Sequence, residues 1–399
     1  MGDKSAFVEW MRVKLKDVCT FYTGTGFPKK YQGQLSGTYP FYKVGDIANN
    51  VVSGKVYLEQ CNNYISEETL ELIKGSIIPK NTIVFAKIGE ALKLNRRAIT
   101  STDCLIDNNA MGIAAKSDKL RTLFFYYFMR NIKMELLAES TTVPSVRKSR
   151  LEAYEIDIPS LDDQKIIEGK LTILSKVINL KEKQLLKLDE LVKARFVEMF
   201  GDVQDAKKHS DKQLKDICNT VTGGTPSTKH AEYYNGTIPW VSTVSLGPNY
   251  IDGTTAKAFI TQEAVDNSST KIIPSGSILF GTRVGVGKSS INQVEMCTNQ
   301  DIVAIIDLDE SKYNKLYIKY VLDTYQSYFD SIKKGATILG ISSDDLKNIY
   351  IPDASLYEQN RFEKFVKQID KSRLLNICLK SLVESVLKIR IFSEYKKSS

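Results

Sequence analysis

The chain says nearly everything twice, and that duplication limits what it can fold into more than any other feature. "LKDVCTFYTGTG" at 15–26 returns as "LKDICNTVTGGT" at 214–225, a shift of 199 residues. "TYPFYKV" (38–44) returns as "TIPWVST" (237–243), and "IIPKNTIVFAKIG" (77–89) as "IIPSGSILFGTRVG" (272–285). "NNAMGIAA" (108–115) pairs with "NQDIVAII" (299–306), and "EIDIPS" (155–160) with "NIYIPD" (348–353). The shift settles near 195 where Gln164 matches Gln359 and "KARFVEMF" (193–200) matches "KIRIFSEY" (388–395). A period near 200 is far too long for a solenoid, and 399 residues can fill two cores. The expected organisation is a mixed α/β globule over 1–160, a long helix over 161–200, a second globule over 201–355 and a second long helix over 356–399.

Within each globule, β-branched runs such as "SIIPKNTIVFAKI" and "KIIPSGSILFGTRV" read as strands bounded by Pro and Gly turns. One aromatic-striped helix is expected late in each, in "KLRTLFFYYFMRNIKMELLAE" and "KYNKLYIKYVLDTYQSYFDSIKK". The long segments differ. Ile167, Leu171, Leu174, Ile178, Leu185, Leu188, Val192 and Met199 fall on an alternating four–three spacing interrupted by Lys181 and Arg195, which is a heptad seam. The second segment carries Phe362, Phe365 and Ile369, then, after a slip of register, Leu375, Leu379, Leu382, Val386 and Ile389. At 1.5 Å per residue each helix spans about 50–60 Å. A seam demands a partner, and the two helices can supply it to each other in antiparallel fashion.

"LFGTRVGVGKSS" (279–290) ends in a Gly-Lys-Ser that invites a phosphate-loop reading. The spacing fails: the first glycine should stand at 282, where the chain has Thr282, and a β-branched run follows Lys288 where a helix should begin. Other chemistry is equally thin. The six cysteines form no Cys-x-x-Cys pair, so reduced thiols in a cytoplasm are the natural reading. With only two histidines, His209 and His230, a zinc site or a His-based triad is not expected. Asp162–Asp163 and Asp344–Asp345 sit where helix starts explain them. No stretch approaches the roughly 18 apolar residues of a membrane span. The formal charge of +8 divides into +1 for 161–200, +6 for 359–397 and +1 for everything else. Local clusters, and not bulk charge, must therefore mark any anionic partner.

Such clusters recur in the loops of both globules. The first has Lys29, Lys30 and Tyr31, then Lys87, Lys93, Arg96 and Arg97, then Arg147 and Lys148. The second has Thr225, Ser227, Thr228 and Lys229, then Thr243, then Arg283 and Lys288. Arg and Lys neutralise phosphates or read guanine edges, and Ser and Thr serve backbone or bases. Solvated loop charge is the bland alternative for each one; recurrence at matching places favours function.

"TGGTPSTKHAEYYNGTIPWVS" (222–242), "CTNQDIVAI" (297–305), "YEQNRF" at the last helix and "ARFVEMFGD" (194–202) resemble specificity subunits of Type I restriction–modification systems, over essentially the whole chain. The first half departs, with "TGTGFP" for the Gly-Gly-Thr-Pro turn, Phe41 for Trp240 and Asn109 for Gln300. The resemblance implies an α+β protein in which two target recognition domains alternate with two long helices paired as an antiparallel coiled coil. It implies a non-catalytic reader of double-stranded DNA, each domain taking one half of a bipartite target. The helices would set the spacer and dock two adenine methyltransferase subunits. S-adenosylmethionine, ATP and Mg would belong to partner chains, including restriction/translocase subunits, and no membrane is involved. Two other classes remain open: a coiled-coil scaffold joining two protein-binding globules, and an NTP-binding enzyme built on the Gly-Lys-Ser at 287–289.

Overall fold

The computed structural model describes residues 10–139, 143–202, 210–335 and 337–385. The chain divides into two compact units, one of residues 1–183 with 377–399 and the other of 184–376.

In the first unit a five-stranded sheet runs in the order Cys19–Thr23, Ala110–Ala115, Thr82–Ala86, Arg97–Thr100, Tyr57–Leu58. The central strand, Thr-Ile-Val-Phe-Ala, is buried along its whole length because both faces are covered. Ile83 and Phe85 point into a core shared with Phe124, Phe125 and Met129 of helix Thr122–Asn131. Val84 points the other way, against Tyr42, Ile47 and Ile106, so the period of two sorts one strand between two cores. A smaller sheet orders Tyr64–Ile65, Tyr39–Tyr42 and Leu105–Ile106. Met11–Lys14 pairs with Glu155–Ile158, tying the two ends of the globule together.

The second unit repeats this plan. Its five-stranded sheet runs Asn219–Thr222, Ile302–Ile306, Ile278–Gly281, Ser289–Asn292, Tyr250–Ile251. Ile278 and Phe280 face the core beneath helix Lys315–Thr324, and Leu279 faces the opposite one. The second sheet has four strands, ordered Ala258–Ile260, Ile238–Val241, Met296–Thr298, Ile272–Ile273. Backbone pairing also corrects one match made on sequence. Ala110 faces Ala86 as Ile302 faces Gly281, so Asn109 is equivalent to Asp301 and not to Gln300.

Two buried glutamines start the long helices. Gln164 accepts from the Arg121 backbone N–H at 2.8 Å and donates to the carbonyls of Lys119 and Pro159. Gln359 accepts from the Asn314 N–H at 2.8 Å and donates to Lys312 and Ala354. Each amide satisfies groups at two helix entrances that would otherwise be orphaned.

The first long helix runs Leu161–Phe200. Ile167, Leu171 and Val192 of its seam are buried, and Leu174, Ile178, Leu185, Leu188 and Met199 are partly covered. Phe196, outside the expected seam, is fully buried against Tyr317 and Phe362. The second long helix runs Leu356–Ser385, and Val386 and Ile389 lie outside the described residues. The expected slip of register does not occur. Leu375 and Leu382 are about as exposed as surface residues, at 62% and 60%. The inner face continues on one spacing from Phe362, Val366 and Ile369 to Arg373, Asn376 and Lys380. Polar groups hold those places through partners on the first helix. In the second unit Arg373 meets Asp189 at 2.6 Å, and in the first Lys380 meets Glu182 at 2.7 Å.

Candidate nucleic-acid interface

In the second domain, several loops meet at one end of the large sheet. After strand Asn219–Thr222 the chain lies flat on the backbone of residues 298–300. Gly223 N donates to Ile302 O at 3.1 Å and Gly224 N to Thr298 O at 2.8 Å. A Cβ on Gly223 would fall well inside van der Waals contact with Thr298 Oγ1 and the Asn299 carbonyl, and one on Gly224 would strike the Thr270 backbone N. Only glycine allows this approach. Trp240 Nε1 donates to the Gly224 carbonyl at 3.0 Å, and Thr225 Oγ1 to Gln300 Oε1. Thr282 N and Oγ1 both donate to the Asp301 carbonyl, which sets Arg283 beside that residue, Nη1 3.7 Å from its carboxylate. Ile341 N donates to Thr282 O at 2.8 Å, bringing in the backbone pair of Lys334 and Gly340. The structure thus gathers Thr225, Gln300, Asp301 and Arg283. Ser227, Thr228 and Lys229 continue outward from Thr225 and are exposed.

The first domain builds the same frame with other residues. Gly24 packs against the Asp107 carbonyl, Lys87 N donates to Asn109 O at 2.9 Å, and Val146 N donates to Lys87 O at 2.9 Å. Lys29, Lys30 and Tyr31 form a 3₁₀ turn in which both lysines are exposed and Tyr31 is half-buried, with the Lys30 ammonium 4.6 Å from the Tyr31 ring centre. Phe27 stacks on Phe41 at 3.8 Å, filling the place of the Trp240 hydrogen bond. Arg147 is exposed and pairs with Glu139 at 2.8 Å. Lys93 pairs with Glu90 and Lys148 with Glu152, each on its own short helix. Arg96 is half-buried.

Two sequence candidates are corrected. Arg97 opens a central strand and is 2% exposed. Its guanidinium donates to Asn95 O, Asn95 Oδ1 and Ile132 O, and burial pushes its pKa down to about 9. It props the core and cannot reach DNA. Thr243 is likewise buried, at 4%. Arg97 was misread because Arg96-Arg97 looks like a basic loop, whereas strand alternation turns the second side chain inward. Asp301, which sequence reasoning passed over, was findable only through backbone pairing.

The Gly-Lys-Ser is part of a hairpin. Gly281 N donates to Lys288 O at 2.9 Å, Gly285 and Gly287 take positive φ angles of 74° and 90°, and the Gln326 amide donates to Val286 O. Ser289 enters a buried strand and its Oγ donates to Asp323 at 2.7 Å. No helix follows to receive a phosphate, so the nucleotide-enzyme reading of 287–289 is withdrawn. Among the described residues, no group of three His, Cys, Asp or Glu side chains could hold a metal, and no helix is long and apolar enough to cross a membrane. All six cysteines are free thiols.

One α/β frame built twice, with differing polar and basic loops at the same sheet end, defines a duplicated recognition module joined to long helices. The family model for the Type I restriction modification DNA specificity domain matches residues 8–190 and again 207–384. The chain belongs to that family, and its two globules are target recognition domains. It is 32% identical over 184 residues to the MjaIX specificity subunit of Methanocaldococcus jannaschii, covering 45% of this chain and 43% of that one. It is 27% identical over 283 residues to the EcoR124I/EcoR124II specificity subunit of Escherichia coli, covering 66% and 67%. The chain thus matches less than half the length of the first relative and about two thirds of the second. Among solved structures, the S subunit of a Type I system from M. genitalium aligns with a TM-score of 0.52 at 14% identity over 97% of both chains. A chain from a study of assembly and conformational transition of the type I R-M system aligns at 0.58 and 16% identity, covering 98% and 97%. At these identities the structural likeness establishes the fold.

Proposed function

We propose that this chain is the DNA-reading subunit of a Type I restriction–modification assembly, each domain reading one half of a bipartite target. One observation carries the reading: the frame is constant while the chemistry on it changes. Gly24 and Gly223, or Gln164 and Gln359, do the same work in both copies. At the loops, Lys87, Ile88 and Asn109 stand where the second domain has Thr282, Arg283 and Asp301. Equal scaffolds with unequal donors and acceptors suit two different base sequences.

The long helices would space the half-sites. Within the second unit the contacts Asp189–Arg373 and Phe196–Phe362 run in opposite residue order, which supports antiparallel pairing. Outward-facing Leu375, Leu379 and Leu382, on a four–three spacing, suit docking of helical partners, which we take to be two adenine methyltransferase subunits. Those chains, with restriction/translocase subunits, would bring S-adenosylmethionine, ATP and Mg. The scaffold alternative gives no reason for loop chemistry to diverge on a shared frame.

The test is domain exchange. Replacing residues 210–352 with the same domain of a relative is expected to change one half of the methylated sequence, mapped in the host genome, and to leave the other intact. Both halves changing together would refute independent readout. Lys288, exposed at its hairpin, offers a second check. Lys288→Ala is expected to lower the slope of log affinity against log salt by about one, as loss of a single phosphate contact does. Saturable ATP binding by the isolated chain, lost in that variant, would contradict the assignment.

A further inference from the structure

Arg283 stands in the loop cluster of the second domain with its guanidinium aimed and its donors free. Its stem lies on Gly340. A Cβ there would come within 2.9 Å of Arg283 Cγ and 2.7 Å of the Thr282 carbonyl, so glycine leaves the arginine its seat. The head is 3.7 Å from the Asp301 carboxylate, close enough to be attracted and too far to donate. Asp301 is itself fixed, since its Oδ2 accepts from the buried Asn299 Nδ2 at 3.2 Å. Thr225 Oγ1 donates to Gln300 Oε1, so the exposed Gln300 amide is left to present its N–H groups. Acceptors are engaged inside the cluster and donors face solvent. The first domain replaces all three parts together: Ile88 stands for Arg283, Asn109 for Asp301, and Ser145 for Gly340. An arginine, its carboxylate and its glycine seat change as a unit, which a solvated loop charge has no reason to do.

We propose that Arg283 reads a guanine in the second half-site, its guanidinium fork meeting N7 and O6 in the major groove, with Asp301 as its positioning residue. The inference rests on the second domain being a DNA reader. Hydrogen-bond polarity selects the base. A fork of donors needs two neighbouring acceptors, and guanine alone presents that pair on its major-groove edge. Adenine offers one acceptor and one donor, thymine one acceptor beside a methyl, and cytosine a donor. Asp301 and Gly340 hold the side chain in place before binding, so less rotamer freedom is lost when the contact forms. A phosphate would accept from the same guanidinium, but it has no N7 to remove.

Replacing guanine by 7-deazaguanine deletes the N7 acceptor and keeps the base pair, which isolates the contact. The experiment uses the complex assembled around the full chain and measures duplex affinity by competition anisotropy. The duplexes carry the mapped target, the target with 7-deazaguanine at each guanine of the second half-site in turn, and a scrambled second half-site. In wild type, 7-deazaguanine at one position is expected to weaken binding roughly tenfold, as loss of one arm of a bidentate pair does. Arg283→Ala is expected to weaken binding to the unmodified target by at least as much. In that variant guanine and 7-deazaguanine at the same position should bind alike. Asp301→Asn, similar in size and still able to accept from Asn299, is expected to narrow the wild-type difference to about threefold. An unchanged difference there removes Asp301 as the positioning residue. The guanine contact is overturned if 7-deazaguanine costs the same with and without Arg283, or if the second half-site holds no guanine on either strand. Equal losses on target and scrambled duplex in Arg283→Ala also overturn it, being the mark of a phosphate contact. If the wild-type complex itself fails to distinguish target from scrambled duplex, the DNA-reader assignment falls first and the guanine contact with it.

Discussion

Asp323→Ala is expected to lower the urea midpoint of the second domain by about 1.5 M, leaving the first unchanged. The reason is a cation buried on helix Lys315–Thr324. The Lys319 side chain is 5% exposed, and its ammonium meets Asp323 Oδ2 at 2.6 Å while Ser289 donates to Oδ1 at 2.7 Å. Removing the carboxylate leaves a desolvated ammonium and a buried hydroxyl without their acceptor. Breaking a buried pair on one side costs about 3 kcal/mol or more, against a denaturant slope of about 2 kcal/mol/M for a domain of this size. The two tryptophans make the measurement selective, since Trp10 lies in the first unit and Trp240 in the second. In a Trp10→Phe background, emission reports the second domain alone. Adding Lys319→Met should restore most of the midpoint, because an apolar side chain of similar length asks for no partner. A single variant as stable as wild type would mean the ammonium finds water, and the pair would then be a surface feature.

The first domain answers the same structural question differently. Register equates Arg97 with Ser289, and the glutamine clamps equate Arg130 with Asp323 and Tyr126 with Lys319. The cation sits on the strand in one copy and on the helix in the other. In the first copy carbonyl oxygens of Asn95 and Ile132 satisfy it in place of a carboxylate. Such exchange is invisible to sequence matching, because it preserves neither charge nor position.

That limit recurs elsewhere. The duplication and the central strands were legible because they are written in hydrophobic period, and Thr82–Ala86 buries as the pattern requires, whereas Ile167 and Leu171 of the expected seam bury in the core of the first globule. The second helix was misread because Arg373, Asn376 and Lys380 occupy its inner face. A rule that seeks leucines follows Leu375 and Leu382 to the wrong side. Residue type likewise flagged Arg283 and Thr225 but could not separate them from Arg97 and Thr243. Exposure decides that, and exposure depends on which strand edge a loop joins.

Gly223→Ala is expected to abolish readout by the second domain while sparing the first, with target affinity reduced on the order of a hundredfold. The added methyl meets Thr298 Oγ1 and the Asn299 carbonyl, both held by the sheet, so neither can retreat as a flexible side chain would. Overpacking against fixed atoms reaches the upper end of about 1–3 kcal/mol. The chain can relieve it only by lifting the loop, which breaks Gly223 N to Ile302 O and Gly224 N to Thr298 O. Lifting also withdraws the Gly224 carbonyl from Trp240 Nε1 and Thr225 from Gln300. A conformational cost of about 3 kcal/mol that binding must reverse corresponds to a factor of over a hundred in affinity. Gly24→Ala should do the same to the first half-site through the Asp107 carbonyl. Gly26→Ala, whose Cβ meets nothing within 4 Å, should do neither. Two readouts distinguish a displaced loop from an unfolded domain. Trp240 emission should shift at zero denaturant in Gly223→Ala, while the urea transition survives at a lower midpoint. Retained half-site affinity with unshifted emission would show that the loop accommodates a side chain, and that its flat seat on residues 298–300 is not what holds Thr225 in place.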